Sequence, residues 1–423
     1  MKRRAAQVWW SRRLVGRLRE DERGLLHFAY DRDWLAGRGF PISVSLPLSL
    51  GERETPAHSY FSGLLPEGGM RQRICRQQGI AEQDDVGLLL AIGGDCAGAL
   101  SVLPDGVAPD TDQGIPRRLT PKALAALIAE HGATSPDGNA GPQRFSLAGA
   151  QDKLPVGMEA EGFWLPDSAH PSSHIIKFET MKRVCFAEYM ANRIAEAVGL
   201  PVVETEYHVQ TGQKRPRPWL LIRRYDRLRE ADGQLLRLHQ EDMMQALGEP
   251  VGLKYQGDGG PSIAAVASLL RRQVERPAQS LALLRDWQIV NFLLGNWDGH
   301  GKNLALLYRP GSATPVLAPF YDLVSIEFLN QAAPGSYARE MAFFIGDESN
   351  PERVTRRHWQ QFAMALSMPP KPLIERVQEL AESLPPIARA CRERFAEDHG
   401  ELAIHRQLDK TVEKRCRAAL SAL

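Results

Sequence analysis

The chain has 423 residues but no pair of cysteines spaced for metal or redox chemistry. Its five cysteines (Cys75, Cys96, Cys185, Cys391 and Cys416) are scattered, odd in number and without a CxxC. That excludes a disulfide framework and a zinc-finger-type site, and it points to reduced thiols in a cytoplasmic protein. No apolar run approaches bilayer-spanning length, and the basic N-terminus has no apolar stretch typical of a signal peptide, so no membrane is expected as a partner. Net charge is close to zero, at +1, which removes a general pull toward nucleic acid or acidic lipid. Low-complexity tracts are missing, as are GxGxxG and GxxxxGKS/T, so any phosphate chemistry must use another kind of loop. Charge is instead uneven locally. Residues 1–19 carry seven Lys or Arg and no acid, and the last eighteen residues are also basic. Such ends are either solvated faces or phosphate-contacting arms.

What remains is an ordinary globular composition, 43% hydrophobic and 24% charged, long enough for two or three domains. Residues 1–105 form a first, small α+β unit. Val44, Leu46 and Leu48 alternate as a strand, with Pro47 marking an edge or an end. Helices are expected over Gly68–Gln78 and Val86–Ile92, then paired glycines lead into a strand closing at Leu103, with Asp95 a turn aspartate. Residues 106–142 are a linker with one helix, opened by Thr120-Pro121 and running to His131. Residues 143–228 read as a β-rich lobe. Arg144 to Val156 is strand, small-residue turn, strand, which suits an ordinary hairpin or a phosphate cradle reached by Lys153. His174–Phe178 is an apolar strand holding Lys177, which either snorkels outward, as spacing favours, or pairs with phosphate and acid. A helix follows from Phe186 to Val198, with Glu188 either a partner for Lys177 or a surface residue, and then a strand, Trp219–Ile222. Residues 229–423 are mainly helical, with helices over Ser262–Gln273, Ala278–Asn296, Arg356–Leu366, Pro372–Ala381 and Ile387–Asp398.

One polar stretch interrupts those helices: Asn296-Trp297-Asp298-Gly299-His300-Gly301-Lys302-Asn303. A hairpin follows, Leu304–Tyr308 returning along Val316–Phe320, and it delivers Asp322 to the end where Asn303 starts, about 5 Å being one strand spacing. An Asp, an Asn five residues on and a second Asp after a hairpin suit phosphoryl transfer. One carboxylate serves the acceptor hydroxyl while an amide and a carboxylate hold magnesium. Taken alone, Asp298 and Asn303 suit a polar loop with an Asp-Gly turn equally well. The order of the weaker signals adds to this one: a strand lysine, a helix glutamate, then Asp-x4-Asn and a later Asp is the order of a two-lobed kinase.

Several stretches together resemble the bacterial HipA kinases: Ser146-Leu147-Ala148-Gly149-Ala150-Gln151-Asp152-Lys153, His174-Ile175-Ile176-Lys177, Tyr225-Asp226-Arg227, Leu238-His239-Gln240-Glu241-Asp242-Met243 and Asp298 to Asn303. Upstream, Ser43 to Leu48, Leu64-Leu65-Pro66-Glu67 and Gly94 to Ala99 are similar to that family's N-terminal subdomain. The resemblance spans nearly the whole chain. It implies an α+β, two-lobed protein-kinase-like fold: a β-rich N-lobe with an extra N-terminal α/β subdomain, and a mainly helical C-lobe. It also implies a Ser/Thr protein kinase using ATP and Mg2+, the toxin of a type II toxin–antitoxin module. By position Asp298 is the catalytic aspartate, and Asn303 and Asp322 hold the metal. Lys177 contacts the nucleotide phosphates, and Ala148, Gly149, Ala150, Gln151, Asp152 and Lys153 form the phosphate loop. Arg223, Arg224 and Tyr225 make the hinge flanking adenine, and His300, Lys302 and Tyr321 line the nucleotide site. Ser146 is the autophosphorylated serine; a phosphate of about −1.5 to −2 charge beside an anion-binding loop competes with the nucleotide. The implied partners are a HipB-like helix-turn-helix antitoxin dimer, operator DNA mainly through that antitoxin, and a protein substrate of the aminoacyl-tRNA synthetase class.

Two positions depart from the family's pattern: Arg223 stands where Glu is common, and Gly301 where Ala is common. Neither removes a reacting group. A small-molecule phosphotransferase of the aminoglycoside-kinase type is the first alternative, weakened because Asn296 stands where such enzymes carry His two positions before the Asp. A non-catalytic corepressor of its own operon is the second, weakened by the retention of Lys177, Asp298, Asn303 and Asp322. A metal hydrolase built on Asp298 and His300 is remote, since no further His cluster completes a site.

Overall fold

The computed structural model describes residues 4–37, 39–109, 117–129, 153–159, 162–166, 170–210, 216–231, 233–332 and 339–423. Contacts divide the chain into two compact units, Met1–Thr180 with His208–Val251 and Leu306–Pro315, and Met181–Tyr207 with Gly252–Ala305 and Val316–Leu423.

The first unit carries two mixed-length sheets. The N-terminal one is built from β1 (Ala5–Trp10), β2 (Arg13–Glu20), β3 (Leu26–Tyr30), β4 (Thr55–Pro56) and β5 (Leu100–Pro104), in the order β4-β3-β2-β1-β5. Alternation explains it: Ala6 and Val8 of β1 and Leu26, Phe28 and Tyr30 of β3 point into one core, to which the helices Gly68–Gln78 and Asp85–Ile92 add Cys75, Leu88 and Leu89. Both helices and the strand after Gly98 lie where periodicity put them. The basic N-terminus, from Arg4 on, is sheet rather than an arm: Arg4 pairs with Glu20 and Asp84, Arg19 pairs with Glu54, and Arg13 lies over Trp34.

Val44 to Leu48 is not a strand. The chain turns there, with Leu46 N–H donating to Ser43 O at 3.1 Å, and Leu48–Leu50 is a 3₁₀ turn. The cause is polar: Ser45 Oγ donates to Gln245 O at 2.8 Å and Ser43 Oγ donates to Glu241 at 2.5 Å, so side chains that alternation would send to solvent are bonded inside.

The second sheet comprises β6 (Lys153–Glu159), β7 (Gly162–Trp164), β8 (His174–Phe178), β9 (Thr205–Gln210) and β10 (Arg217–Arg223), in the order β7-β6-β8-β10-β9. The helix Pro121–Ala129 covers it, packing Leu127 and Ile128 on Leu154, Val156, Ile176, Phe178 and Leu221. Residues 143–152, expected as strand and turn, lie outside the described residues.

The second unit is mainly helical: Val184–Ala197, Ile263–Gln273, Pro277–Leu294, Ile326–Ala332, Arg356–Ala365, Pro370–His399 and His405–Ser421. Local chemistry sets several ends. Ser262 Oγ accepts from Ala265 N–H at the start of one helix, and Pro277 opens the next, which Gly295 closes in the left-handed region at φ 72°. The two helices expected over Pro372–Ala381 and Ile387–Asp398 are one, with Pro385 and Pro386 inside it. Each proline removes a backbone donor, yet Leu380, Leu384, Ala388 and Phe395 form one continuous buried stripe, and that burial carries the helix across the break. Among the described residues no helix is long and apolar enough to cross a membrane.

Candidate active site

The helix Pro277–Leu294 ends at Gly295, and the chain then folds back on that helix. Asn296 N–H donates to Asn291 O at 2.8 Å, and its side-chain amide donates to Asn291 Oδ1 at 3.0 Å. Asn296 Oδ1 in turn accepts from Asp298 N–H at 3.2 Å. These bonds leave the Asp298 side chain exposed while Trp297 and Gly299 on either side are buried. Space is tight at Gly299: a Cβ there would lie 2.8 Å from Asn291 Nδ2 and 3.3 Å from the Trp287 ring, so both would have to shift.

Next, Gly301–Asn303 forms a single 3₁₀ turn. Asn303 N–H donates to His300 O at 2.9 Å, and Asn303 Oδ1 accepts from His300 N–H at 3.3 Å. His300, Lys302 and Asn303 are all buried. The hairpin expected after Asn303 is present, short, with strands Ala305–Leu307 and Val316–Leu317, and Ala318 N–H donates to Ala305 O at 2.9 Å. Further along, Phe320 N–H donates to Pro201 O at 2.8 Å and its ring stacks on Trp287 with centroids 6.0 Å apart. Tyr321 OH donates to Lys302 O at 2.6 Å, which ties the residue before Asp322 to the residue before Asn303. Asp322 is half-buried and sits in the left-handed region at φ 56°. A non-glycine residue in that region costs on the order of 1 kcal/mol, and such residues cluster at functional sites. Beyond it, Ser325 Oγ donates to Leu294 O at 2.6 Å and Glu327 N–H to Gly295 O at 2.9 Å, closing the segment back onto the helix end. Asp298, Asn303 and Asp322 therefore belong to one hydrogen-bonded frame of the helical unit, in which Tyr321, Lys302 and His300 are structural members.

In the sheet-rich unit, Lys177 stands on β8 directly opposite Lys153 on β6 and Leu220 on β10. Opposed residues on neighbouring strands share a face, with Cβ atoms about 4.5–5.5 Å apart. Lys177 is buried, so it does not snorkel, and Glu188, in the helix Val184–Ala197 of the other unit, is fully buried rather than on the surface. Of the hinge residues, Arg223 is exposed and Tyr225 is half-buried with its hydroxyl bonded to Gln240. Arg224 is enclosed: its guanidinium donates to Asp226 at 2.9 and 2.7 Å and to Ser172 Oγ at 2.8 Å, and its backbone N–H donates to Ser173 O at 3.0 Å. Its side chain is committed to structure. Ser146, Ala148, Gly149, Ala150, Gln151 and Asp152 lie outside the described residues.

Sequence reasoning missed two features. Asp95, taken for a turn residue, is buried among Arg227 at 3.3 Å, Arg237 at 3.2 Å and Ser172 at 3.2 Å. Tyr255, which no spacing marks, donates from its hydroxyl to Asp298 Oδ1 at 2.8 Å.

A mixed α/β unit followed by a mainly helical unit that presents an exposed aspartate on a braced loop defines a protein-kinase-like fold. Residues 6–103 match the HipA N-terminal domain and residues 145–387 the HipA-like C-terminal domain. A putative kinase, Y4mE, from Sinorhizobium fredii is 37% identical over 85% of each chain. The serine/threonine-protein kinase toxin HipA of Shewanella oneidensis is 28% identical over 84% of this chain and 82% of its own. A chain from the Shewanella oneidensis complex of HipA, HipB and operator DNA superposes with TM-score 0.82 at 25% identity, covering 98% of this chain and 97% of that one. The chain belongs to the HipA family, and it is a nucleotide-dependent Ser/Thr protein kinase.

Proposed function

We propose that the chain is the toxin kinase of a toxin–antitoxin module, and that Asp298 orients and accepts the proton of the acceptor hydroxyl. The observation that carries the site is the Tyr321–Lys302 hydrogen bond of 2.6 Å, which draws Asp322 and Asn303 into one frame beside the exposed Asp298. Asn303 and Asp322 offer hard oxygen donors, the kind Mg2+ takes, so the residues fit the metal. When bound, Mg2+-ATP supplies the transferable phosphoryl group and offsets its negative charge. In this reading Asn303 and Asp322 hold the metal, Lys177 and Lys153 meet the phosphates from one sheet face, and residues 148–152 complete the phosphate loop. His300, Lys302 and Tyr321 line the nucleotide site, while Arg223 to Tyr225 flank adenine through their backbone.

Autophosphorylation at Ser146 would switch the kinase off by placing charge in the same loop. A HipB-like antitoxin dimer, through which the chain meets operator DNA, is the proposed partner, and an aminoacyl-tRNA synthetase the proposed class of substrate. Residues 1–105, 143–228 and 229–423 are the proposed N-terminal subdomain, N-lobe and C-lobe, joined by 106–142.

The test is self-labelling of freshly dephosphorylated full-length chain with γ-labelled ATP and Mg2+. Wild type is expected to incorporate phosphate at Ser146 and Asp298→Asn to incorporate none. Undiminished labelling of Asp298→Asn would remove Asp298 from the role. A phosphosite elsewhere would remove Ser146.

A further inference from the structure

We propose that Tyr255 is a positioning residue for phosphoryl transfer, holding one oxygen of the Asp298 carboxylate so that the other faces the acceptor hydroxyl. The inference rests on the reading of Asp298 as the catalytic aspartate. Tyr255 OH donates to Asp298 Oδ1 at 2.8 Å, and Asp298 is otherwise exposed, so a rotating carboxylate would have no fixed partner on its own loop except through its backbone. A phenol, with an ordinary pKa of about 10, keeps its proton at neutral pH, where a carboxylate is ionised and accepts.

Tyr255 is itself held from several sides within the helical unit. Its ring lies edge-on to His300, with centroids 5.3 Å apart and planes at 76°. The next residue, Gln256, is bonded at both ends: its N–H donates to Ala342 O at 3.0 Å and its Oε1 accepts from Phe344 N–H at 3.1 Å. That receiving segment is tied to the catalytic loop and its helix, because Ala342 N–H donates to Trp297 O at 2.9 Å and Gln288 Nε2 donates to Phe343 O at 3.0 Å. The hydroxyl and the carboxylate it holds therefore share one rigid frame, closed through Trp297 and Ala342. A removable plug over the aspartate would need a free segment, and the bonds at Gln256 favour a fixed brace. Among the described residues only Oδ1 is engaged, which leaves Oδ2 to accept from a serine or threonine hydroxyl. The cost of a loosely held base is lost alignment, and rate is steeply sensitive to the placement of reacting groups.

The experiment compares wild type, Tyr255→Phe, Tyr255→Leu and Asp298→Asn as full-length, dephosphorylated proteins. It measures initial phosphate incorporation from saturating Mg2+-ATP into the chain and into lysate proteins, ATP affinity by calorimetry, and the thermal unfolding midpoint. Tyr255→Phe keeps the ring against His300 and removes only the hydroxyl. Its rate is expected to fall about tenfold, the scale of one hydrogen bond to a charged group, while ATP affinity and midpoint stay at wild-type values. Tyr255→Leu is expected to lose at least as much rate. Wild-type rate in Tyr255→Phe beside an inactive Asp298→Asn overturns the role of Tyr255 alone. A loss confined to Tyr255→Leu, or a fall in ATP affinity or midpoint matching the fall in rate, also overturns it, assigning the ring a structural part only. An active Asp298→Asn overturns the reading of Asp298 itself, and the brace with it.

Discussion

Glu241 shows how far a single side chain can depart from its sequence reading. It is 1% exposed, yet it accepts from Ser43 Oγ at 2.5 Å, Val44 N–H at 3.0 Å and Tyr308 OH at 2.7 Å. Burial outweighs those donors and pushes its carboxyl up from 4.5 to about 7. The folded chain then binds the proton more tightly than the unfolded one. This contribution is complete below about pH 4.5 and is lost as pH rises through about 7. Glu241→Gln, which keeps the shape without the ionisation, is expected to flatten the decline in stability between about pH 5 and about pH 8, by up to about 3 kcal/mol. Thermal unfolding across that range checks it, and parallel profiles for the two proteins would count against the assignment. The sequence showed Glu241 only as part of a motif, because nothing in one-dimensional spacing brings residues 43, 241 and 308 together. Gly299 is the converse case. An Asp-Gly pair reads as a turn, whereas a Cβ at the glycine would press on Asn291 and Trp287, a constraint that no spacing shows. The placement of Asp298 and Asn303 was legible since both lie in one short loop after a helix stop, and that of Asp322 because a hairpin register can be counted. Tyr255 was not legible, being 43 residues from its partner.

At the scale of elements, the buried ion cluster of the sheet-rich unit joins parts of the chain that share no sequence pattern. Asp226 pairs with Arg224 at 2.7 Å and Arg227 at 2.9 Å, and its carboxylate accepts from Gly98 N–H at 2.8 Å. Arg227 donates to Ser172 O at 2.9 Å and Gly98 O at 3.1 Å, so the glycine turn, the lead into β8 and the chain after β10 meet there. Although burial alone would raise it, the two arginines hold the Asp226 carboxyl well below its usual range. Removing one member of a buried cluster leaves the others uncompensated. Asp226→Asn is expected to destabilise the unit by about 3–5 kcal/mol, read as a lowered midpoint in urea, whereas a surface pair such as Arg19–Glu54 contributes about 0–1 kcal/mol. The elements read correctly from sequence are those with local causes: the helix that Ser262 caps, the helix that Pro277 opens, and the apolar runs of β8 and β10. Those misread had distant ones. The Val44–Leu48 turn answers to Glu241 and Gln245, and the helix through Pro385-Pro386 answers to a stripe buried on its neighbours.

For the molecule as a whole, the helical unit does not end where the family match ends at residue 387. Phe395 packs on Phe186 and Tyr207 with centroids 5.1 and 4.9 Å apart, and Arg392 Nε donates to Asp409 at 2.7 Å. The last helix contributes Arg415, whose side chain has no exposure. Its guanidinium lies 4.7 Å from the Phe292 ring and 4.8 Å from that of Trp297, and donates to Glu352 at 2.7 Å. A guanidinium held over an aromatic ring out of water contributes about 2 kcal/mol, and its loss also opens a cavity. Trp297 is the residue before Asp298, so the C-terminal helix supports the Asp298 loop through Arg415 while Tyr255 supports it through the carboxylate. Arg415→Ala in the full chain is expected to lower unfolding stability by about 2–5 kcal/mol and to slow phosphate transfer. Ending the chain after His399 is expected to do more. Without the helix His405–Ser421 the stripe on Pro370–His399 is uncovered, and limited proteolysis should cut within the helical unit while the sheet-rich unit resists. Equal protease resistance and equal activity in the shortened chain would mean that the loop is held by the Tyr255 side alone. The two supports are thus separable: Tyr255→Phe tests the side that touches the carboxylate, and Arg415→Ala tests the side that holds its backbone.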